Sequence, residues 1–275
     1  MALGSSKPVC YYQFENNAND TSNAGNTMNG TAATGASFST AAKLRGSYSF
    51  LNSDTGGTGC IHSCGTVANM GFFWTGVWTI SFWINRNDTL LEYAMGTQTS
   101  SGSGKYGFAL KLTNGYTSIL MYPGGTGTWV DSGSGMVTNT TGAWHHLVIT
   151  SDATTIRFYE DGGEHSSATN YSTWPGATDM TYKLMLGSIP YGSDSNPWSG
   201  NYLGYMDEVS IWNATATADE VASLYNSGAS RDLSDGLPSA GLPSGIKNVG
   251  GIAGDSIRTV SGIEAASIRA IMGAN

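Results

Sequence analysis

Through residues 9 to about 227, apolar and polar positions alternate in short runs, and each run is bounded by Gly, Asn, Asp, Ser or Thr. A period of two over four to eight residues predicts half-buried strands. The segment "VCYYQFE" alternates around Tyr12 and Phe14, "SYSFL" is short and aromatic, and "WTISFWIN" sets Ile80, Phe82 and Ile84 on one face. "KYGFALKL", "SILMY", "HHLVIT", "TIRFYEDG" and "KLMLGS" continue the series, and Asp161-Gly162 carries a strong hairpin signal. Strands at this spacing predict an all-β chain folded as a two-sheet antiparallel sandwich.

One segment breaks the period. Thr217 is placed to cap the amide of Glu220, whose side chain reaches back, and Val221, Leu224 and Tyr225 then share a helical face. Gly228 stands where this helix is expected to stop. Residues 229–245, "ASRDLSDGLPSAGLPSG", lack any period and are rich in Gly, Pro and Ser, which predicts a linker between a 1–228 sandwich and a 246–275 tail.

The tail repeats itself every eleven residues. Ile246, Ile257 and Ile268 each precede a basic residue, Val249, Val260 and Ile271 follow, and Gly251, Gly262 and Gly273 close each unit. An eleven-residue repeat permits a right-handed coiled coil, but each Gly would cost about 1 kcal/mol in a helix interior. The β-branched residues at the recurring apolar positions instead favour short extended pieces broken at Gly. Such pieces leave open edges, so the tail is expected to dock on other chains or on copies of itself through these six Ile and Val positions, or else to stay disordered.

Composition narrows the function classes. Gly accounts for 38 of 275 residues and charged side chains for only 12%, so Thr, Ser, Asn and Gly supply much of the surface polarity. Twelve basic against twenty acidic residues give a formal charge of −8 without a basic cluster, which excludes phosphate-driven nucleic-acid binding. No run approaches 18 apolar residues and no signal-peptide pattern opens the chain, so neither a membrane span nor export by a leader is expected. Cys10, Cys60 and Cys64 are read as thiols of a chain made in a reducing cytoplasm; a local Cys60–Cys64 disulfide and a zinc site with His62 are the alternatives.

In order and spacing, "YYQFENNANDTSNAGN", "LRGSYSF", "WTISFWIN", "WHHLVIT", "FYEDG", "LGS" and "GYMDEVSIWNATATADEVASLYNSG" resemble the successive blocks of a laminin-G-like, concanavalin A-like jelly roll. The resemblance implies two curved sheets, first and last strands side by side, and a module that binds glycans or protein surfaces, with some hydrolases among its relatives. The stretch around "GCIHSCG" departs from the pattern. The resemblance also implies calcium held by Asn19, Asp20, Asn23 and Asp207 to fix loops; the other reading of these residues is ordinary Asx turns and backbone hydrogen bonds. A second resemblance, of the tail to C-terminal segments of tailed-phage virion proteins, is confined to about thirty residues.

Catalysis is not expected. Adjacent strand residues face opposite ways, which separates Asp207 from Glu208 as a carboxyl pair, and the Glu-any-Asp-any-any-Glu strand of the glucanase relatives does not occur. His145-His146 lacks a nucleophile partner, and alternation buries one ring and exposes the other. Trp78, Trp83, Trp144 and Trp212 belong to the predicted core. Trp74, Trp129, Trp174 and Trp198, with Tyr191 and Tyr202, fall in loop contexts, where they either stack on sugar rings or cover sheet edges. These readings combine into a non-enzymatic virion surface protein, whose lectin-like sandwich meets cell-surface glycan and whose tail docks on virion proteins or on a homo-oligomer. A bacterial carbohydrate-binding or adhesion module is the alternative, and a glycoside hydrolase a weaker one.

Overall fold

The structure is a computed structural model; it describes residues 2–4, 6–25, 27–54, 58–97, 107–122, 128–133, 141–169, 182–197 and 200–237, and the backbone of four short segments between 248 and 264. The strands in chain order are β1 Cys10–Tyr12, β2 Thr31–Ala32, β3 Ala36–Ser39, β4 Ser49–Asn52, β5 Ile61–Cys64, β6 Val77–Arg86, β7 Glu92–Gly96, β8 Gly107–Thr113, β9 Tyr116–Tyr122, β10 Thr128–Asp131, β11 His145–Asp152, β12 Thr155–Glu160, β13 Gly163–Thr169, β14 Leu184–Leu186 and β15 Gly204–Trp212. They form two antiparallel sheets, β13-β12-β11-β6-β15-β4-β3 and β10-β9-β8-β7-β14-β5-β2. β1 joins the first sheet by pairing with β15, Cys10 opposite Ile211 and Tyr12 opposite Val209. β4 pairs with the other half of the same β15 edge, Gly204 opposite Asn52. The first and last strands therefore lie side by side.

Between the sheets, Ile80, Phe82 and Ile84 of β6 point inward as their alternation predicts, together with Leu147 and Ile149 of β11, Leu110 and Leu112 of β8 and Leu184 and Leu186 of β14. A 3-10 stretch, Val67–Thr75, inserts Phe73 among them; it stacks on Trp78 at 4.5 Å and on Phe108 at 4.3 Å between ring centres. Trp78, Trp83 and Trp212 are buried as expected, and Trp144 is half-buried.

The first sheet is covered on its outer face too. The helix α1, Ala218–Tyr225, is capped at its start by the reciprocal Thr217–Glu220 bonds, and it lays Val221 and Leu224 on Trp212, Val148 and Tyr159. Its end differs from expectation: Asn226, left-handed at φ 48°, closes the helix before Gly228. Trp83, His146 and Tyr225 stack beneath it, with ring centres 4.8 Å and 5.6 Å from Trp83.

The expected 229–245 linker is packed in its first half. Leu233 and Leu237 are buried in the cluster under α1, Arg231 Nε donates to Ser223 O, and Asp232 accepts from Arg45. Two leucines four apart amid Gly and Pro carry too little pattern to be read as core. Farther on, Asn248–Val249 pairs with Ile252–Ala253, and Thr259–Val260 with Ile263–Glu264. The same two-residue ladder thus recurs at the spacing of the repeat. The side chains of Val249 and Val260 lie outside the described residues, as do Ile246, Ile257, Ile268 and Ile271 entirely.

Asp161 and Gly162 form the β12–β13 turn with φ of 49° and 83°, the left-handed pair that a two-residue hairpin requires. A methyl group at Gly162 would stand 2.9 Å from the Tyr225 ring as well as in a disfavoured conformation. Gly162→Ala is expected to destabilise the protein by about 1–2 kcal/mol or more, measurable by urea unfolding; an unchanged midpoint would show that the turn relaxes freely.

Candidate functional site

At one rim of the sandwich, β4 and β6 end and β7 and β15 begin. A groove of about 220 Å³ opens there, lined by Asp54, Asp88, Leu90, Leu91, Glu92, Gly200, Asn201 and Leu203. Arg86, the last residue of β6, organises it from below. Its Nη2 donates to Leu90 O at 2.7 Å, its Nη1 to Thr113 O at 3.2 Å, and its Nε to Glu92 at 3.2 Å. Glu92 in turn accepts from the Leu203 amide at 2.7 Å, which ties the 200–203 segment to the first residue of β7. Tyr93 N donates to Gly200 O, and Asn87 N to Leu203 O. On the far side Asn52 donates to Tyr202 O and receives the Asp54 amide, while Asp54 accepts from the Thr58 amide. The close approach of β15 to β6 here depends on Gly204 at φ 137°, where a side chain would strike Asn85 O.

Two features single out the groove. Asn201 is 6% exposed, yet neither end of its amide has a hydrogen-bond partner among the described residues, a costly arrangement unless something else completes it. Leu90 and Leu91, 69% and 51% exposed, stand on the lip as two of the three large exposed hydrophobic residues among those described. Burial pushes the Glu92 carboxyl up to about 8, against the pull of Arg86 and of the Leu203 amide, with Asp88 beside it adding to the rise.

The six residues expected to contact ligand are dispersed. Trp74 is 5% exposed and packs edge-on against Phe73. Tyr202 is fully buried, and its hydroxyl donates to Tyr205 O. Both are core. Tyr191 is exposed but does not line the groove. The side chains of Trp129, Trp174 and Trp198 lie outside the described residues. The residues that do line the groove come from separate parts of the chain, so their convergence had no local signature. Adjacent Leu90-Leu91 after the Asn87-Asp88 turn signal was the only hint.

The carboxylates expected to hold calcium are engaged with backbone amides, as the alternative reading has it. Asp20 accepts from the amides of Tyr11, Ser22 and Met28. Asp207 accepts from those of Leu44, Arg45 and Glu208. The two carboxylates share no partner and their oxygens are occupied by backbone donors, while Asn19 and Asn23 sit in the exposed turn beside Asp20. Among the described residues the one convergence of three metal-ligating side chains is His145, Glu160 and Asp161, where His145 Nδ1 donates to Asp161 at 3.0 Å and clasps the β11–β12 hairpin. Cys60, His62 and Cys64 do not form a metal-ligating cluster, and Cys10, Cys60 and Cys64 are all buried and unbridged.

The separation of Asp207 from Glu208 requires correction. The register slips after Asp207, and Glu208 takes φ 51°, a bulge that turns both carboxyls toward Arg45. Glu208 accepts from the Tyr11 hydroxyl and lies 3.6 Å from the Arg45 guanidinium. Both carboxyls are enclosed, and burial pushes them up, Asp207 to about 7 and Glu208 to about 8. Buried His146 is pushed down to about 3, while Asp161 holds His145 above its ordinary value.

These shifts set a pH dependence. Carboxyls whose folded pKa exceeds the unfolded value stabilise the fold at low pH and lose that contribution as pH rises through 7 to 8. His145 acts in the same direction, and His146 opposes only below its unfolded pKa of about 6.5. Melting temperature is expected to fall by roughly 5 °C between about pH 6.5 and 8.5. A flat profile in differential scanning calorimetry would mean that Arg45 and Arg86 keep their carboxylates ionised throughout.

Comparison with known proteins places the fold. A family profile, the concanavalin A-like lectin/glucanases superfamily in its laminin-G form, matches residues 55–222, more than half of the chain. No curated protein sequence matches. Among solved structures, the binding domain of Paraclostridial Mosquitocidal Protein 1 is similar with a TM-score of 0.57 at 17% identity, over 81% of this chain and 52% of that one. The botulinum neurotoxin serotype D binding domain gives 0.55 at 16%, over 81% and 52%. The chain thus spans about half the length of these two. Domain 4 of AbnA, a GH43 extracellular arabinanase from Geobacillus stearothermophilus solved with arabinotriose, gives 0.55 at 17%, over 78% of this chain and 97% of that domain.

Proposed function

Because the chain belongs to the concanavalin A-like lectin/glucanases superfamily, we propose that it is a non-enzymatic, lectin-like module that binds glycan in the rim groove. The observation that carries this is the buried, unpartnered amide of Asn201 beside the exposed Leu90 and Leu91. An amide offers one acceptor and two donors and matches neighbouring hydroxyls of a sugar ring, while the leucines offer an apolar wall to its C–H face. The arabinotriose complex of the AbnA domain supports a saccharide as ligand for a sandwich of this shape. Glu92 has both oxygens engaged by Arg86 and Leu203, which favours binding over bond cleavage. Asn201→Ala is expected to lower affinity for a saccharide found on a glycan array at least tenfold with little change in melting temperature. Undiminished binding would remove the groove from the reading.

The larger setting is proposed as a virion surface, with the 246–275 repeats docking the sandwich on phage structural proteins or on further copies of the chain. The recurrence of one ladder at the repeat spacing supports a reused docking unit. Full-length chain that co-sediments with phage particles, and a variant lacking 246–275 that does not, is the expected result. Full-length chain that stays in the supernatant would favour a bacterial adhesion module.

A further inference from the structure

We infer that the groove selects an amino sugar: a hexose ring carrying a protonated amine beside a hydroxyl. The inference rests on the glycan-binding reading above and names the chemistry of its ligand. Among the eight described lining residues, Asp54, Asp88 and Glu92 are acidic and none is basic. Arg86 lies beneath and is committed to Glu92, Leu90 O and Thr113 O. Whether Glu92 holds a proton or pairs as a carboxylate with Arg86, Asp54 and Asp88 leave the local charge negative. A cationic group is attracted to such a site and a uronate, sulfate or sialate is repelled, and both effects grow where water is partly excluded.

Asn201 adds the geometric half of the argument. Its amide is more than nine-tenths buried, lines the acidic groove and has no partner at either end among the described residues. An ammonium group and the adjacent hydroxyl of a 2-amino-2-deoxyhexose satisfy it together, the ammonium donating to Oδ1 and the hydroxyl oxygen accepting from Nδ2. The carboxylate of Asp88, which accepts from the Leu90 amide, lines the same groove and can share the ammonium's remaining protons. A neutral hexose would answer Asn201 alone and leave the acidic charge uncompensated. The volume, about 220 Å³, is below the ~300 Å³ of drug-sized pockets and suits one ring with its neighbours running out over Leu90 and Leu91.

The test is isothermal titration of the full-length chain with a glucosamine tetramer, the matching N-acetylglucosamine tetramer and a galacturonate tetramer, at mildly acidic pH and two salt concentrations. The expected result is binding of the glucosamine tetramer at least tenfold tighter than either other probe, weakened by salt and by about tenfold in Asp88→Asn. Asp54→Asn serves as a second variant should Asp88→Asn fail to fold. Equal or tighter binding of the acetylated or acidic tetramer would overturn the amino-sugar inference and leave glycan binding standing. Binding of none of the three, where an array still finds another sugar that depends on Asn201, would do the same; no sugar at all would remove both.

Discussion

Phe73→Ala is expected to destabilise the protein by about 3–5 kcal/mol. The ring is fully buried and touches both layers: Trp78 belongs to β6 in one sheet, Phe108 to β8 in the other, and Trp74 meets it edge-on at 5.6 Å. Its removal deletes apolar area and two stacked contacts together, and flat neighbours held by strands cannot close into the void. At about 2–4 °C per kcal/mol for a domain of this size, melting should drop by roughly 10 °C. A loss below about 1 kcal/mol in urea unfolding would show that the 3-10 stretch around Phe73 shifts to refill the space.

A comparable loss, about 3–5 kcal/mol, is expected for Arg86→Leu, because removing one partner leaves the Glu92 carboxyl buried without its donor. Arg86 and Glu92 have side chains only 3% and 2% exposed and lie 3.1 Å apart. The substitution also frees the Leu90 and Thr113 carbonyls, so the groove should lose its shape and saccharide binding should fall with stability. Arg86→Leu combined with Glu92→Leu is expected to recover much of the stability but not the binding, since the Leu203 amide loses its acceptor. Equal melting temperatures for the single and double variants would refute the explanation by an unpartnered Glu92.

The strands were legible because one face of each meets the core: Ile80, Phe82 and Ile84 alternate, and the structure keeps that alternation. The capping box and the Asp161-Gly162 turn were legible because their chemistry is local. The bulge at Glu208 was not, since a non-glycine residue at positive φ leaves no mark in sequence and its partners Arg45 and Tyr11 are distant in the chain. Counting aromatic residues located the core better than the site: Trp74 and Tyr202 had loop-like neighbours but are buried by contacts distant in the chain. The groove was hidden for the same reason, for Asp54, Leu90 and Asn201 come together only when four strand ends are aligned.

The position of β15 governs the order in which this chain can be completed. That strand fills the place between β6 on one side and β1 and β4 on the other, yet it begins only at Gly204. While a ribosome is still translating the preceding residues, β6 keeps an unpaired edge, and the β3–β4 hairpin and β1 have no sheet to join. Closure therefore waits for nearly the whole sandwich to be synthesised, pairs residues as far apart as Cys10 and Ile211, and should be slow. In that interval the growing chain exposes an apolar strand edge, so its yield in a cell depends on how long translation lingers before β15 is released.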